Sequence, residues 1–547
     1  MNVFSLTHQQ TASINYEGSM VITACPGSGK TTVIKEKIRN ITETLPEHKG
    51  VIAITFTKKA SAELECRCKV GAHDTKQSFF GTIDSFCLKE IIIPFLSKIW
   101  GGNPSKCKVI KKLNLPYSNY IKEDYVDNPS LADLNSNNGY KRLYDKGILW
   151  MGSFSALAMK IINESSACRR YIKARYSHIF IDEYQDSSFS QHQLFIKINE
   201  IGLVSVVVGD VRQSIYEFRG GNSELLQELV NKTDTFKHFE IDQNHRCHPS
   251  IINYASRLLD QTCHLIPTSE INIFRMRLDG SLKDIAGTIS TLIIKWLNNG
   301  TWGLEKANQI VLLAKKEKSL ELLCSGLNTN FRLFIDTPLD KIETECSDLY
   351  KELLSYKYGS TCTAQELINK IFDSLILKDG YQLSLRKMIK TLRLELTNTE
   401  LIEKFHLIAE MLELNIKEVD DNALLEIVSN DILLKQFKPL DNSEINVMTL
   451  HKSKGLEFKV VFHFDLDEWS FPFRQVNKKD RYSPIYPNLQ QELNLHYVGI
   501  TRAETCCVLI NSGLRQNANG QFKKSEESYF FKFPQLKGLY RYYTELC

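Results

Sequence analysis

Four absences narrow the reading of this chain before any motif is sought. It has no Cys-x-x-Cys pair: among its 14 cysteines, Cys66 and Cys68 are one residue apart, Cys506 and Cys507 are adjacent, and the rest are scattered. That spacing fits neither a zinc ribbon nor a cysteine-bound iron–sulfur cluster. It has no run of about 18 apolar residues, so no segment reads as a membrane-spanning helix. Its first residues, MNVFSLTHQQ, lack the basic segment, apolar core and small-residue cleavage site of a secretory leader. Together these predict a cytoplasmic protein with reduced thiols and no membrane partner. Nor does one sign of charge dominate: 68 Lys and Arg stand against 64 Asp and Glu, a net +4, so any grip on a polyanion must be local.

What is present is ample apolar material, 43% of 547 residues, enough for roughly three or four domains. Short β-branched runs recur at 20–24, 51–56, 178–182, 205–210, 309–314, 445–450, 459–465 and 506–511. Such runs suit strands buried on both faces of a parallel sheet. With helical stretches between them they predict an α/β chain of two doubly wound sheets. Residues 87–176 and 338–437 break the rhythm and are too long for loops, which predicts two inserted, mainly helical subdomains. The polar stretch Asp127–Tyr140 reads as a surface loop.

The clearest chemistry follows the first strand, at Ala24-Cys25-Pro26-Gly27-Ser28-Gly29-Lys30-Thr31-Thr32. Glycines let the backbone wrap phosphate oxygens, a helix N-terminus faces their charge, Lys30 neutralises it and Thr31 can ligate Mg²⁺. The strict form of this pattern begins with Gly where this chain has Ala24. At 178–186, HIFIDEYQD is an apolar strand ending in Asp182 and Glu183. Carboxylates at a strand's C-terminal end lie where ligands bind in open α/β sheets. Asp182 can therefore hold Mg²⁺ and Glu183 can activate the attacking water.

Eight ordered blocks carry a resemblance: ACPGSGKTT (24–32), ITFTKKASAEL (54–64), GTIDSFC (81–87), IDEYQDSS (181–188), GDVRQSIYEFRGGN (209–222), QNHRC (243–247), MTLHKSKGLEFKVVF (448–462) and HYVGITRAE (496–504). The chain resembles the superfamily 1 helicases of the UvrD/Rep/PcrA type. That resemblance implies two RecA-like P-loop NTPase domains with ATP in the cleft between them. The first would span 1–86 and 177–240, the second 241–337 and 438–547, and each would carry a helical insert, 87–176 and 338–437. It also implies roles by position. Arg246 and Arg502 match two arginine fingers, Gln213 a γ-phosphate sensor, and Arg219 another γ-phosphate contact. Gln10 matches an adenine-reading glutamine, with the register open because Gln9 adjoins it. His245 matches an adenine-stacking position and Glu457 a ribose contact. Thr55, Phe56, Lys58, Thr82, Ser85, Tyr216, Phe218 and His451 match positions on the strand-binding face, where sequence-tolerant grip needs cationic groups and aromatic faces.

Some positions depart from the family pattern. Phe218 stands where Trp is usual, His245 where Tyr is, Asp84 where His is, and Arg212 replaces an acidic residue. The insert at 338–437 is shorter than the regulatory subdomain of full-length repair helicases. This compactness resembles the helicase-like subunits of Gabija-type anti-phage systems, where the partner is a nuclease. Two expectations follow. One is an ATP-dependent 3′–5′ translocase and helicase acting on single-stranded DNA and 3′-tailed duplex. The other is a nucleic-acid-sensing ATPase that regulates a partner nuclease. The residues themselves do not separate DNA from RNA.

Overall fold

Runs of five or six β-branched and aliphatic residues, too short to bury a helical stripe, become the inner strands of two parallel sheets. The computed structural model describes residues 6–121, 127–215, 220–342, 344–359, 363–374, 382–477, 480, 483–517 and 519–543. By backbone contacts the chain divides into two units. One is Met1–His245 with Asn369–Asp379, and the other is Arg246–Ile368 with Gly380–Cys547.

The first unit holds β1 (Met20–Ala24), β2 (Gly50–Ile54), β3 (Phe79–Gly81), β4 (Tyr176–Ile181), β5 (Val204–Gly209) and β6 (Lys237–Ile241). They form one sheet in the order β3-β2-β4-β5-β1-β6, and every pairing is parallel. Val21, Ile22, Ile52, Ala53, Ile179 and Val207 are fully buried within it. Because β5 lies between β1 and β4, the loops leaving the C-terminal ends of these three strands stand side by side. Connections from parallel strands return through helices, so chemistry collects at those ends.

Between Cys87 and Tyr176 the fold is mostly helical, as expected, with two corrections. Lys108–Ile110 and Ile148–Trp150 pair as a short parallel ribbon, closed by Trp150 Nε1 donating to the Lys111 carbonyl at 3.1 Å. Three-residue strands are too brief for a sequence period to reveal. The expected loop at 127–140 is instead largely helix, Leu131–Ser136 followed by Gly139–Asp145. A capping box between Ser130 and Asp133 starts the first helix, and buried Leu134 and Tyr140 dock the pair. These override the polar composition. Cys87–Ile92 is π-helical. Pro94 lies just beyond it and its ring would collide with the carbonyl of Glu90, which the wider turn relieves.

The second unit holds β7 (Ile273–Leu278), β8 (Ile310–Ala314), β9 (Phe331–Phe334), β10 (Ile445–Thr449), β11 (Phe458–His463), β12 (Ala503–Ser512) and β13 (Arg541–Tyr542). Their order is β9-β10-β8-β11-β12-β7-β13, again wholly parallel. From Pro338 to Lys435 the described residues contain helices and no strand. The longest, Glu345–Tyr358 and Asn398–Met411, bury Leu349, Leu353, Phe405 and Ile408. Every described cysteine is a free thiol, and among the described residues no helix is long and apolar enough to cross a membrane.

Candidate functional site

In the first unit the phosphate loop leaves β1 and enters the helix Lys30–Thr44, with Thr31 and Thr32 in its first turn. Gly27 and Gly29 have φ of 70° and 80°, a left-handed conformation that costs glycine nothing and other residues roughly 1–2 kcal/mol. The loop is tied down from outside. Gln10, 1% exposed, donates from Nε2 to the Ser28 carbonyl at 2.8 Å, while its Oε1 accepts the Thr7 N–H at 2.8 Å and starts the helix His8–Asn15. A Cβ on Gly29 would sit 2.8 Å from that same Nε2. Gln9, the neighbour that left the register open, stays half-buried. Gln10 is the glutamine that touches the loop.

At the other end of the same short helix, buried Lys37 donates to the carbonyls of Ser13, Ile14 and Tyr16. Burial pushes its ammonium down to about 8. On a third side, the His245 N–H donates to the Gly27 carbonyl at 3.0 Å and the Cys25 N–H to the Ile241 carbonyl. Cys25 Sγ donates to the Asp242 carbonyl at 3.2 Å. Burial and then Asp210 push the Cys25 thiol up to about 12, so it stays protonated and unreactive.

The Lys30 ammonium is enclosed and makes no hydrogen bond. Among the described residues its ion-pair neighbour is Glu183 Oε1 at 4.0 Å. An unsatisfied buried cation beside a glycine cradle fits phosphate oxygens as its missing partners. Glu183 itself has φ 55°, a conformation costing on the order of 1–2 kcal/mol outside glycine.

A hydrogen-bonded chain runs from Glu183 across neighbouring strand ends. Gln185 Nε2 donates to Glu183 Oε2 at 2.5 Å, and Gln185 Oε1 accepts the Asp210 N–H at 3.0 Å. Asp210 Oδ2 then accepts from Gln213 Nε2 at 2.7 Å. Gln185, Asp210 and Gln213 are all buried. The first two escaped the sequence reading. The visible signal was their place inside IDEYQD and GDVRQ, but only the β4–β5 neighbourhood shows that they connect. Asp182 follows the last residue of β4, its N–H donating to the Ile54 carbonyl at 3.0 Å.

The expected strand-binding residues of this unit divide. Phe56 is 41% exposed, and Lys58, two residues on, is exposed at the start of the helix Lys58–Cys68. Thr55 is buried and its hydroxyl donates to the Thr57 carbonyl. Thr82 and Ser85 form a reciprocal cap on the helix Ile83–Phe86, so both hydroxyls are engaged locally. Asp84 follows in that turn, and burial pushes its carboxyl up to about 6. Tyr216, Phe218 and Arg219 lie outside the described residues.

In the second unit Arg246 Nη2 pairs with Glu457 Oε1, which joins the expected finger to the expected ribose contact. Arg502, 2% exposed, donates to the carbonyls of Val498 at 3.1 Å and Leu456 at 3.2 Å, and to Thr501 Oγ1 at 3.4 Å. Its guanidinium is thus held by its own unit. His451 is half-buried in the turn after β10.

Residues 9–219 match the family model described as an AAA domain, and residues 339–512 match the UvrD-like helicase C-terminal domain. The chain is 28% identical to the Gabija protein GajB of Bacillus cereus (strain VD045), over 90% of this chain and 93% of that protein. It is 24% identical to the ATP-dependent DNA helicase Rep of Buchnera aphidicola subsp. Schizaphis graminum (strain Sg), over 96% of each. Identity to the ATP-dependent DNA helicase PcrA of Bacillus subtilis (strain 168) is also 24%, over 93% of this chain and 82% of that protein.

Proposed function

We propose, from the premise that the chain belongs to the UvrD-like superfamily 1 helicases, that it couples ATP hydrolysis to 3′–5′ movement along single-stranded DNA and opens 3′-tailed duplexes. The observation that carries this reading is the enclosed Lys30 ammonium, unsatisfied beside the Gly27–Gly29 cradle and 4.0 Å from Glu183. Bound triphosphate gives Lys30 its partners. Mg²⁺ suits this site as a companion of phosphate, with the Thr31 hydroxyl and the Asp182 carboxylate as the protein groups that would hold it. Bound there, it supplies charge neutralisation across the phosphates. Glu183 takes the proton of the attacking water, Gln213 senses the γ-phosphate through the Asp210–Gln185 chain, and Arg246 and Arg502 stabilise the charge that develops. Phe56 and Lys58 meet the strand by a base face and a phosphate.

A second reading draws on the likeness to GajB over nearly the whole of both chains. In it the same site reports bound nucleic acid to a partner nuclease, and unwinding by the isolated chain is weak. One experiment separates the readings. Glu183→Gln should bind ATP without turnover, and wild type should hydrolyse ATP faster with single strands present. A 3′-tailed duplex should open in preference to a 5′-tailed one. Hydrolysis indifferent to nucleic acid would overturn the motor. Strand-stimulated hydrolysis without unwinding would favour the regulatory subunit.

A further inference from the structure

The left-handed backbone of Glu183 is flanked by two sets of buried contacts. On one side, Gln185 ties it to Asp210. On the other is a second chain, which no sequence motif announces. Tyr184, fully buried in the turn Tyr184–Asp186, packs its ring edge-on against Phe195 with centroids 5.3 Å apart. Its hydroxyl lies 2.9 Å from His192 Nδ1. The opposite ring nitrogen, Nε2, faces Glu228 Oε1 at 3.6 Å, and Glu228 also pairs with Lys232 at 2.6 Å.

The chemistry of the end groups assigns the protons. A carboxylate only accepts, so the tautomer that suits Glu228 at 3.6 Å has its proton on Nε2, and this assignment makes Nδ1 the acceptor of the Tyr184 hydroxyl proton. Burial keeps this imidazole neutral by pushing its pKa down, against the opposing pull of Glu228. Rotation about the Glu183–Tyr184 link would swing the Tyr184 ring out of its slot and break the hydroxyl bond. The buried ring and the His192 acceptor therefore lock the backbone that aims the Glu183 carboxylate.

We propose that His192 is a positioning residue for ATP hydrolysis, which it serves by accepting the Tyr184 hydroxyl proton and so fixing the orientation of Glu183. The proposal rests on the reading of Glu183 as the water-activating carboxylate. The surface helix Glu224–Asn231 brings Glu228 within 3.6 Å of the far side of the His192 ring.

The test uses the full chain with single-stranded DNA at saturation, and measures kcat, KM for ATP, nucleotide Kd and thermal midpoint. Tyr184→Phe and His192→Phe each remove the bond and keep a ring. Both should lower kcat about tenfold, the worth of one buried hydrogen bond, and leave nucleotide Kd within about twofold of wild type. The double variant should be no worse than either single one. His192→Asn, whose side-chain oxygen can replace Nδ1 as acceptor, should recover most of the rate. Wild-type kcat in Tyr184→Phe, or equal losses in His192→Asn and His192→Phe at equal thermal midpoint, would overturn the proposal. Should His192→Phe not fold, Tyr184→Phe decides alone. Glu183→Gln run in parallel keeps the two levels apart: turnover in that variant removes the reading of the site, whereas its inactivity beside a fully active Tyr184→Phe removes only the role of His192.

Discussion

Lys30 and Arg502 are both enclosed cations near the end of a strand, one in each unit, yet they are provided for in opposite ways. Among the described residues Lys30 meets no hydrogen-bond acceptor and its nearest ion-pair partner is a carboxylate at 4.0 Å, whereas Arg502 donates to two carbonyls and a hydroxyl of its own unit. The contrast teaches that a buried cation can be either a counter-charge kept for a ligand or a strut. The first leaves its bonding to a ligand, and the second is bonded within its own unit, adds stability, and would have to surrender bonds to serve a ligand.

The sharpest way to break this comparison is to remove each cation and measure function and stability together. Lys30→Met should abolish turnover, while the stability of the nucleotide-free chain, read from its thermal midpoint, stays level or rises by about 1 kcal/mol at most. Arg502→Ala should lower kcat by on the order of 10³ or more and also cost roughly 2–4 kcal/mol of stability, because it empties three buried contacts. A stability loss in Lys30→Met as large as that in Arg502→Ala would erase the distinction. A smaller effect sharpens the first half. Gln10→Ala releases the Ser28 carbonyl, and nucleotide Kd measured by titration should weaken about tenfold with kcat reduced less.

The smallest expected effect concerns acid. In the second unit His463 and His496 are completely buried, with His496 Nδ1 and His463 Nε2 3.1 Å apart. Burial pushes His463 down to about 4 and His496 well below its ordinary value. The unfolded chain therefore binds these protons first as pH falls. Stability is full above about 6.5, the ordinary histidine value, and declines as pH drops toward about 4. His496→Phe should flatten that decline in thermal midpoints taken across the window. An unchanged slope would show that other groups set the acid limit.

Much of the first unit's site was legible in the sequence because it is contiguous. A glycine-rich loop between strand and helix, and two carboxylates at a strand end, name their chemistry by order alone. The inner strands were legible for a similar reason, since short runs dense in β-branched and aliphatic residues, such as MVITA and IVLLA, leave few alternatives. Edge strands were not. Lys237–Ile241 (KHFEI) alternates charge with apolar residues and buries fully only Ile241. Phe331–Phe334 contains Arg332, which is buried because it pairs with Glu444 at 2.8 Å. Side-chain bridges between strands were illegible as well. Gln185 to Asp210 and Tyr184 to His192 depend on which strands and helices lie side by side, and one sequence carries no record of that adjacency. The engagement of Thr82 and Ser85 with each other was open to discovery, because T-x-x-S at a helix start is a cap signature.

The Gln10 amide has one further consequence. Its oxygen starts its own helix and its nitrogen holds the phosphate loop, so a purine that recruits either atom takes it from work already in progress. On the proposed reading of the site, base identity and triphosphate grip would compete for one side chain, and their binding energies could not be summed as independent parts. A base that engaged Gln10 badly would loosen the loop beneath the phosphates, so discrimination among nucleotides would be read out at Lys30, not only at the base.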